Sequence, residues 1–176
     1  GTPWRDIIGA LNGGHGLVNT ITIPEGYTIS QIVPALAQTL TVPADSVHVA
    51  VRATSLLRRL NIPNPTLEGY LFPDTYAFPL GTTARVAVHE MVYDFERRWK
   101  PDWDARASDL KIKRNELVTV ASIVERAARV PEERPVIAAV YYNRLRKGML
   151  LQADPTVQYA LGHHVGRVLY KDLEVR

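Results

Sequence analysis

A single carboxylate, Glu125, is the residue whose setting most needs a chemical explanation. It interrupts a window from 116 to 129 in which apolar side chains occur around most of the helical circumference, a pattern typical of a buried helix. At about 3.6 residues per turn, Glu125 shares a face with Ala121, Ser122 and Arg129, so small side chains leave room for a ligand beside it. A carboxyl group in such a place can donate and accept a proton, which is general acid and base catalysis.

The same position also fits a purely structural role. Glu125 and Arg129 are four residues apart, and oppositely charged side chains at that spacing commonly pair on a helix surface. If apolar neighbours surround the carboxyl group, burial is expected to raise its pKa above the usual value of about 4.3 and to keep part of it protonated near neutral pH. Ser122, one turn earlier, is placed to orient the carboxyl group. The ion pair and the proton donor both remain open at this point.

A helical hairpin is predicted to present Glu125. Pro131 ends the first helix, and the acids and proline of residues 132–135 begin a second helix that runs to Gly148. Asn143 lies on the second arm of this hairpin, where it is placed to face Glu125. The hairpin therefore brings a second polar side chain towards the candidate acid.

The segment after the hairpin carries further polar residues. Asp154 and Pro155 predict a turn that opens another short helix through Ala160. The pair His163 and His164 has neither the spacing of metal ligands nor acidic partners nearby, so we predict no metal site. Because the chain contains no cysteine, disulfides, thiolate metal sites and cysteine nucleophiles are excluded.

A second stretch, residues 67–78, is dense in aromatic side chains and carries Gly and Pro where they favour turns or an edge strand. Tyr70, Asp74 and Tyr76 suit a wall that faces sugar. Pyranose rings present apolar CH faces to aromatic rings, and carboxylate and phenol groups hydrogen-bond to hydroxyls. The same residues also suit an aromatic minicore beneath a loop. Both interpretations remain open.

The start of the chain predicts a small unit of strand and helix. A short helix is expected over residues 4–11, a β-branched strand over 17–23, and then a turn that contains Gly26. Thr28 and Gln31 have the spacing of a capping box for the next helix. Strand, glycine turn and capped helix in this order resemble the first half of a LysM module, a small fold that binds cell-wall glycan, although other folds contain the same three elements.

The fold class predicted for the whole chain is α+β. A proline pair after residue 62 marks a domain boundary. Residues 1–62 are expected to form a small LysM-like βα subdomain with connecting helices, and residues 63–176 a mainly helical domain with a short extended aromatic segment. Within the second part we predict a helix over 83–99 and a polar connection over 103–113 with at most a short helical turn.

Composition limits the classes of function. The 176 residues are 46% hydrophobic and 22% charged, which is typical of a globular domain with or without a small appendage. The net charge is only +3 and the basic residues are scattered, so no nucleic-acid partner is predicted. No apolar run of about 18 residues occurs. The chain begins with Gly1 rather than Met, so we expect any anchoring segment to lie outside this piece.

Three stretches occur in a fixed order along the chain. They read LEGYLFPDTY over 67–76, ASIVE over 121–125, and then ERP through YNRL and GM to LQADPTV over 133–157. Together they resemble the endolytic murein transglycosylases of the YceG-like type, and residues 23–26 match the LysM-like portion of that family more loosely. Ordered motifs of this length are far more specific than one short pattern.

The resemblance implies an enzyme anchored by a single span in the bacterial inner membrane, with its catalytic part facing the periplasm or wall. It would cleave the β-1,4 bond between N-acetylmuramic acid and N-acetylglucosamine within peptidoglycan strands, leave a 1,6-anhydro ring, and use no cofactor. Peptidoglycan synthases are its candidate protein partners. This chain would be a soluble fragment whose membrane contact depends on an N-terminal anchor that it lacks.

The resemblance implies that Glu125 is the catalytic acid. It also implies glycan contact or site scaffolding for eight further residues: Tyr70, Asp74, Tyr76, Ser122, Asn143, Gln152, Asp154 and Thr156. Two features depart from the family pattern. Ala127 stands where the family usually has a second Glu, and the chain ends at 171–176 where the family normally continues into a segment rich in Tyr, Asn, Pro and Gly. We therefore expect part of the site to be missing from this piece.

One carboxylate suffices for such a reaction if the C6 hydroxyl of the sugar attacks the anomeric carbon, because no second protein group is then needed as base or nucleophile. Three other functions remain: a muramidase-type hydrolase, a non-catalytic peptidoglycan-binding module, and a lyase of small metabolites. A lyase of small metabolites requires a compact pocket with a lysine that anchors a cofactor. The only lysine within the three signature stretches is Lys147.

Overall fold

The computed structural model describes residues 17–162 and Val168. The chain divides into two compact units, and the boundary lies between Lys100 and Pro101. The described part is mainly helical with one two-stranded sheet, so the α+β class is confirmed at this level. The short helix predicted near the start, the histidine pair and the end of the chain lie outside the described residues.

The two-stranded antiparallel sheet of the first unit joins distant parts of the chain. Strand β1 (Val18–Thr22) pairs with β2 (Thr75–Pro79), and Ile21 lies opposite Tyr76. The pairing therefore spans the predicted boundary at residue 62, because β2 comes from beyond it. The division into a LysM-like part at 1–62 and a catalytic part at 63–176 stays a prediction.

The strand, glycine turn and capped helix predicted near the start are present as elements. Gly26 has a φ of 75°, which only glycine adopts easily. Helix α1 (Ile29–Leu40) begins after Thr28, whose backbone N–H donates to Gln31 Oε1 over 3.0 Å. This bond is half of the predicted capping box. The likeness to a LysM module stays a prediction.

Three more helices complete the first unit: α2 (Ala44–Ala50), α3 (Thr54–Arg59) and α4 (Ala84–Arg98). Helix α1 packs against β1, α2 and α4, and α2 also packs against α4. The predicted helix over 83–99 is confirmed, with the Thr83 side chain accepting from Val86 N over 3.4 Å. The most deeply buried large side chains form this core: Leu36, Val47, Val51, Leu56, Leu67, Val88, Met91 and Val92.

The second unit is helical throughout its described part. It contains α5 (Pro101–Asp109), α6 (Arg114–Ala127), α7 (Arg134–Arg146) and α8 (Asp154–Leu161), with a 3-10 turn at Pro131–Glu133. Helix α6 packs against each of the other three. The predicted hairpin is therefore confirmed as α6, a short turn and α7.

The predicted polar connection over 103–113 is wrong for most of its length, because α5 is helical as far as Asp109. Its first turn holds Asp102 and Asp104, and acids there interact favourably with the positive end of a helix. Arg114 pairs with Asp104 and so ties the start of α6 to α5. No described helix is long and apolar enough to cross a membrane.

Candidate active site

Glu125 lies on the exposed face of α6. The buried residues of this helix are Val120, Ile123 and Val124. The prediction of a helix buried all round is therefore wrong, because α6 is amphipathic. Ala121 and Ser122 are also exposed, so small side chains border the carboxylate as their spacing predicted. A large ligand can approach Glu125 from this side of the unit.

The Ser122 hydroxyl is turned back along α6. Its Oγ donates to the carbonyl of Thr119 over 2.8 Å, and Thr119 Oγ1 in turn donates to the carbonyl of Asn115 over 2.8 Å. A serine hydroxyl has one proton to donate, so Ser122 is left as an acceptor towards its other neighbours. Its predicted role in orienting Glu125 would therefore require the protonated carboxyl group to donate to Ser122 Oγ.

Carboxylates hold both ends of α6. Glu116 Oε2 accepts from the backbone N–H of Lys113 over 2.8 Å at the start of the helix. Glu133 Oε2 accepts from the backbone N–H of Arg129 over 2.9 Å in the hairpin turn. These bonds satisfy backbone donors near the two ends of the helix that carries Glu125.

The loop after α7 is held by Arg144, a residue that sequence analysis left out of the candidate site. Its Nη1 lies 3.2 Å from the Leu150 carbonyl oxygen, 3.0 Å from that of Leu151, and 3.1 Å from Gln152 Oε1. Gln152 is exposed and has a φ of 50°. Arg144 was visible inside a signature stretch, but its three acceptors depend on a loop conformation that no spacing rule predicts.

The remaining predicted residues of this unit lie on α7 and α8. Asn143 is exposed, and its Oδ1 accepts a hydrogen bond from Arg146. Asp154 is exposed at the first position of α8, and Thr156 Oγ1 donates to the carbonyl of Ala153 over 2.7 Å. Since α8 and α7 both pack on α6, the second unit gathers these residues onto helices adjoining the one that carries Glu125.

In the first unit, Tyr70 and Tyr76 belong to an aromatic minicore. Tyr70 is 3% exposed and Tyr76 is 5% exposed. The Tyr70 ring centroid lies 5.0 Å from that of Phe95, and the Tyr76 ring stacks at 5.7 Å on that of Phe78. Of the two interpretations of this stretch, burial supports the minicore, because these rings have little surface left for stacking on a sugar. A scaffolding role for both tyrosines remains a prediction.

Asp74 ties the start of β2 to the end of α4. Its Oδ2 lies 2.7 Å from Arg98 Nη2, and its Oδ1 accepts from the backbone N–H of Thr75 over 2.7 Å. The Arg98 guanidinium also lies 4.5 Å from the centroid of the Phe72 ring, a cation–π contact. Asp74 is therefore engaged by its own unit, which supports a scaffolding role over a contact role.

The environment of the Tyr76 hydroxyl predicts that the free energy of unfolding falls at alkaline pH. Its hydroxyl donates to the carbonyl of Phe72 over 2.7 Å. Burial raises the pKa of Tyr76, and the negative charge of Asp94 raises it further. The folded-state pKa therefore exceeds the unfolded value of about 10, so the stabilisation is complete below about pH 10 and is lost as pH rises towards the folded-state pKa.

Tyr76→Phe should reduce the free energy of unfolding by about 1 kcal/mol near neutral pH, because one hydrogen bond is lost. It should also flatten the decline of that free energy above about pH 10. Guanidinium unfolding near neutral pH and again above about pH 10 measures both effects. Tyr93→Phe is the control, because it removes a hydroxyl from an exposed ring. An unchanged alkaline decline in the Tyr76 variant would show that this phenol does not cause it.

Each unit has an open depression on its described surface. The first, of about 360 Å³, is lined by Arg59, Arg85, Val86, His89, Glu90 and Tyr93. The second, of about 660 Å³, is lined by Ala127, Arg129, Glu132, Glu133, Val136 and Ile137. Neither is lined by a predicted site residue, so neither supplies at Glu125 the compact pocket that a small-metabolite lyase requires. Within the described residues, no cluster of His, Cys, Asp or Glu is placed to hold a metal ion.

The whole sequence, residues 1–176, matches the model of the YceG-like family. The chain belongs to the YceG-like family. The family predicted from the three ordered stretches is thus confirmed. A solved structure of a YceG-like protein from Listeria monocytogenes has the same fold, with a TM-score of 0.78 at 31% sequence identity. The match covers 99% of this chain and 62% of that one.

Relatives of this YceG-like chain include proteins named endolytic murein transglycosylase. The one from Bacillus subtilis is 34% identical over 179 residues, which is 93% of this chain and 49% of the relative. The one from Streptococcus pneumoniae is 34% identical over 164 residues, which is 81% of this chain and 29% of the relative. The chain thus spans half or less of the length of these two relatives.

Proposed function

We propose that this chain carries the catalytic part of an endolytic murein transglycosylase that acts on peptidoglycan strands. The observation that carries the proposal is the placement of Glu125. It is an acid on the exposed face of α6, bordered by small exposed side chains, in a chain whose named relatives are endolytic murein transglycosylases. An accessible face suits a polymer that must be cut within its length.

The proposed reaction uses Glu125 twice. Its protonated carboxyl group gives a proton to the oxygen of the β-1,4 bond between N-acetylmuramic acid and N-acetylglucosamine as that bond breaks. The C6 hydroxyl of the same N-acetylmuramic acid attacks the anomeric carbon, and the Glu125 carboxylate accepts the hydroxyl proton. The product is a 1,6-anhydro end, and no water is consumed. The substrate supplies the nucleophile, so a second protein carboxylate is not required, which fits Ala127 at the position of the usual second Glu.

The sequence predicts that apolar residues of α6 surround the Glu125 carboxyl group. In this proposal the bound glycan provides those surroundings instead. Because Glu125 lies on an exposed face, a sugar seated over Ala121 and Ser122 would displace water from the carboxyl group. Removal of water favours the uncharged form of a carboxyl group, so substrate binding would promote the protonated acid that begins the reaction.

The other candidate residues divide into contact and scaffold roles by their exposure and by their contacts within the fold. Asn143, Gln152 and Asp154 are exposed and Thr156 is half-buried, so these four are proposed to contact the glycan. Tyr70, Asp74 and Tyr76 are proposed to scaffold the first unit through the contacts described above. No cofactor is part of the proposal. In the complete protein this part would face the wall from an inner-membrane anchor, with peptidoglycan synthases as candidate partners.

Digestion of uncross-linked glycan strands tests the proposed activity. The 176-residue chain and a longer ectodomain of the same protein are each incubated with strands. The fragments are then separated and their masses are determined by mass spectrometry. We expect fragments of intermediate length, because cleavage is within strands, and a faster reaction with the longer protein. Strands that bind to both proteins but stay uncut would support a non-catalytic peptidoglycan-binding module instead.

A further inference from the structure

The side-chain amide of Gln152 has its orientation set by Arg144. A guanidinium group only donates hydrogen bonds, so the atom of Gln152 that lies 3.1 Å from Arg144 Nη1 is the oxygen. The Nε2 group, which carries two protons, is consequently directed away from Arg144. It makes no hydrogen bond to another described residue, and Gln152 is exposed. The chain thus presents a pure donor to the solvent at this position.

The loop that carries Gln152 is held in an uncommon conformation. A φ of 50° is unusual for a residue with a side chain and costs of order 1 kcal/mol or more. Arg144 Nη1 has two protons for three acceptors at 3.0 to 3.2 Å, so at least one proton is shared among the two carbonyls and the Gln152 side chain. The backbone N–H of Met149 also donates to the Arg144 carbonyl over 2.9 Å. One arginine therefore fixes the loop and the amide together.

We propose that Gln152 is a specificity residue that donates from Nε2 to the acetamido carbonyl of an N-acetylated sugar, and that Arg144 is its positioning residue. The inference rests on the proposed function, since it assigns a contact for that glycan. A carbonyl can only accept a hydrogen bond, whereas a sugar hydroxyl can accept or donate. A fixed NH₂ group is therefore required by the carbonyl and is not required by a hydroxyl.

The variant Gln152→Glu distinguishes an acetamido carbonyl from a sugar hydroxyl as the group that Gln152 binds. The variant keeps an oxygen for Arg144 and loses the outward donor. A hydroxyl would rotate and donate to the new carboxylate, whereas an acetamido carbonyl would be left facing an acceptor. We expect affinity for N-acetylated glycan strands to fall about tenfold, the effect of about one hydrogen bond. Strands whose sugars are N-deacetylated carry ammonium groups, and these should bind the variant better than they bind the parent.

Binding is measured by calorimetry in a Glu125→Gln background, so that the strands stay intact. Gln38→Glu, on the exposed surface of α1, is the control for the added charge and should leave affinity unchanged. Arg144→Ala should abolish the preference for acetylated strands and speed hydrogen exchange at residues 149–152, whereas Gln152→Glu should leave that exchange slow. The conservative Arg144→Lys should restore part of the preference.

Equal affinity of the parent and Gln152→Glu for acetylated strands would overturn the inference, as would an absence of binding to acetylated strands. The proposed function is tested separately by whether the longer ectodomain with Glu125 intact cuts the strands. Binding that depends on Gln152 without any cleavage would refute the transglycosylase activity and leave this contact standing.

Discussion

Glu125→Gln is expected to abolish nearly all cleavage of glycan strands while leaving the fold intact. The amide cannot give a proton to the leaving oxygen or accept one from the C6 hydroxyl, and loss of a general acid and base typically lowers a rate by a factor on the order of 10² to 10⁴. The side chain is exposed, so the free energy of unfolding should change by less than about 0.5 kcal/mol. The longer ectodomain is used, with product formation followed by mass.

The control for this variant is Glu132→Gln. Glu132 is an exposed acid in the hairpin turn, and its replacement removes the same charge from the same unit. It should retain the parent rate. Substantial turnover by Glu125→Gln on purified strands would remove Glu125 from the acid role. Equal pull-down of intact peptidoglycan by the parent and the variant, with no product from either, would favour the binding module.

Tyr70→Ala is expected to destabilise the first unit by about 3 to 5 kcal/mol, the usual cost of truncating a buried aromatic ring. Tyr70 is buried beside Phe95, so truncation leaves a cavity that the surrounding side chains fill only in part. Guanidinium unfolding followed by circular dichroism measures the change.

Tyr93→Ala is the matched control, because Tyr93 is 54% exposed on α4. Its effect on the free energy of unfolding should stay within about 0.5 kcal/mol. The opposite pattern, in which Tyr70→Ala leaves stability unchanged and weakens glycan binding, would restore the sugar-facing wall and contradict the minicore.

Local signals in the sequence were enough for several elements. The β-branched run of β1, the capping box of α1 and the apolar stripe of α4 each identify an element from residues that lie within it. Helix α5 was missed although Pro101 and the acids after it are helix-start signals. Pro101 follows the end of α4 and also opens α5, because proline is tolerated in the first turn of a new helix, so the same residue fits both a helix stop and a helix start.

Burial was harder to predict than the elements themselves. The prediction that the helix of Glu125 is buried all round depends on treating Ala121 as a buried apolar residue. Alanine has a small side chain and a strong helix preference, so it is also common on exposed faces, and Ala121 is exposed. Tyr76 is buried partly because β2 pairs with β1, more than fifty residues earlier in the chain. Such long-range pairing is not recoverable from a local pattern.

The candidate site shows the same division. Glu125, Asn143 and Gln152 were identified because ordered motifs are visible in the sequence. The role of Arg144 was not, since its acceptors lie on a loop in which Gly148 and Gln152 both have positive φ. Gly148 adopts this region without a steric penalty, but nothing in the sequence predicts it for a glutamine.

The most direct test of the central claim is digestion of uncross-linked glycan strands in water enriched in heavy oxygen. If the C6 hydroxyl is the nucleophile and Glu125 only transfers protons, the new ends carry a 1,6-anhydro ring, are lighter by one water than hydrolysed ends, and contain no label. New ends that incorporate the heavy oxygen would show that water is the nucleophile. That result would contradict the transglycosylase mechanism and identify a muramidase-type hydrolase.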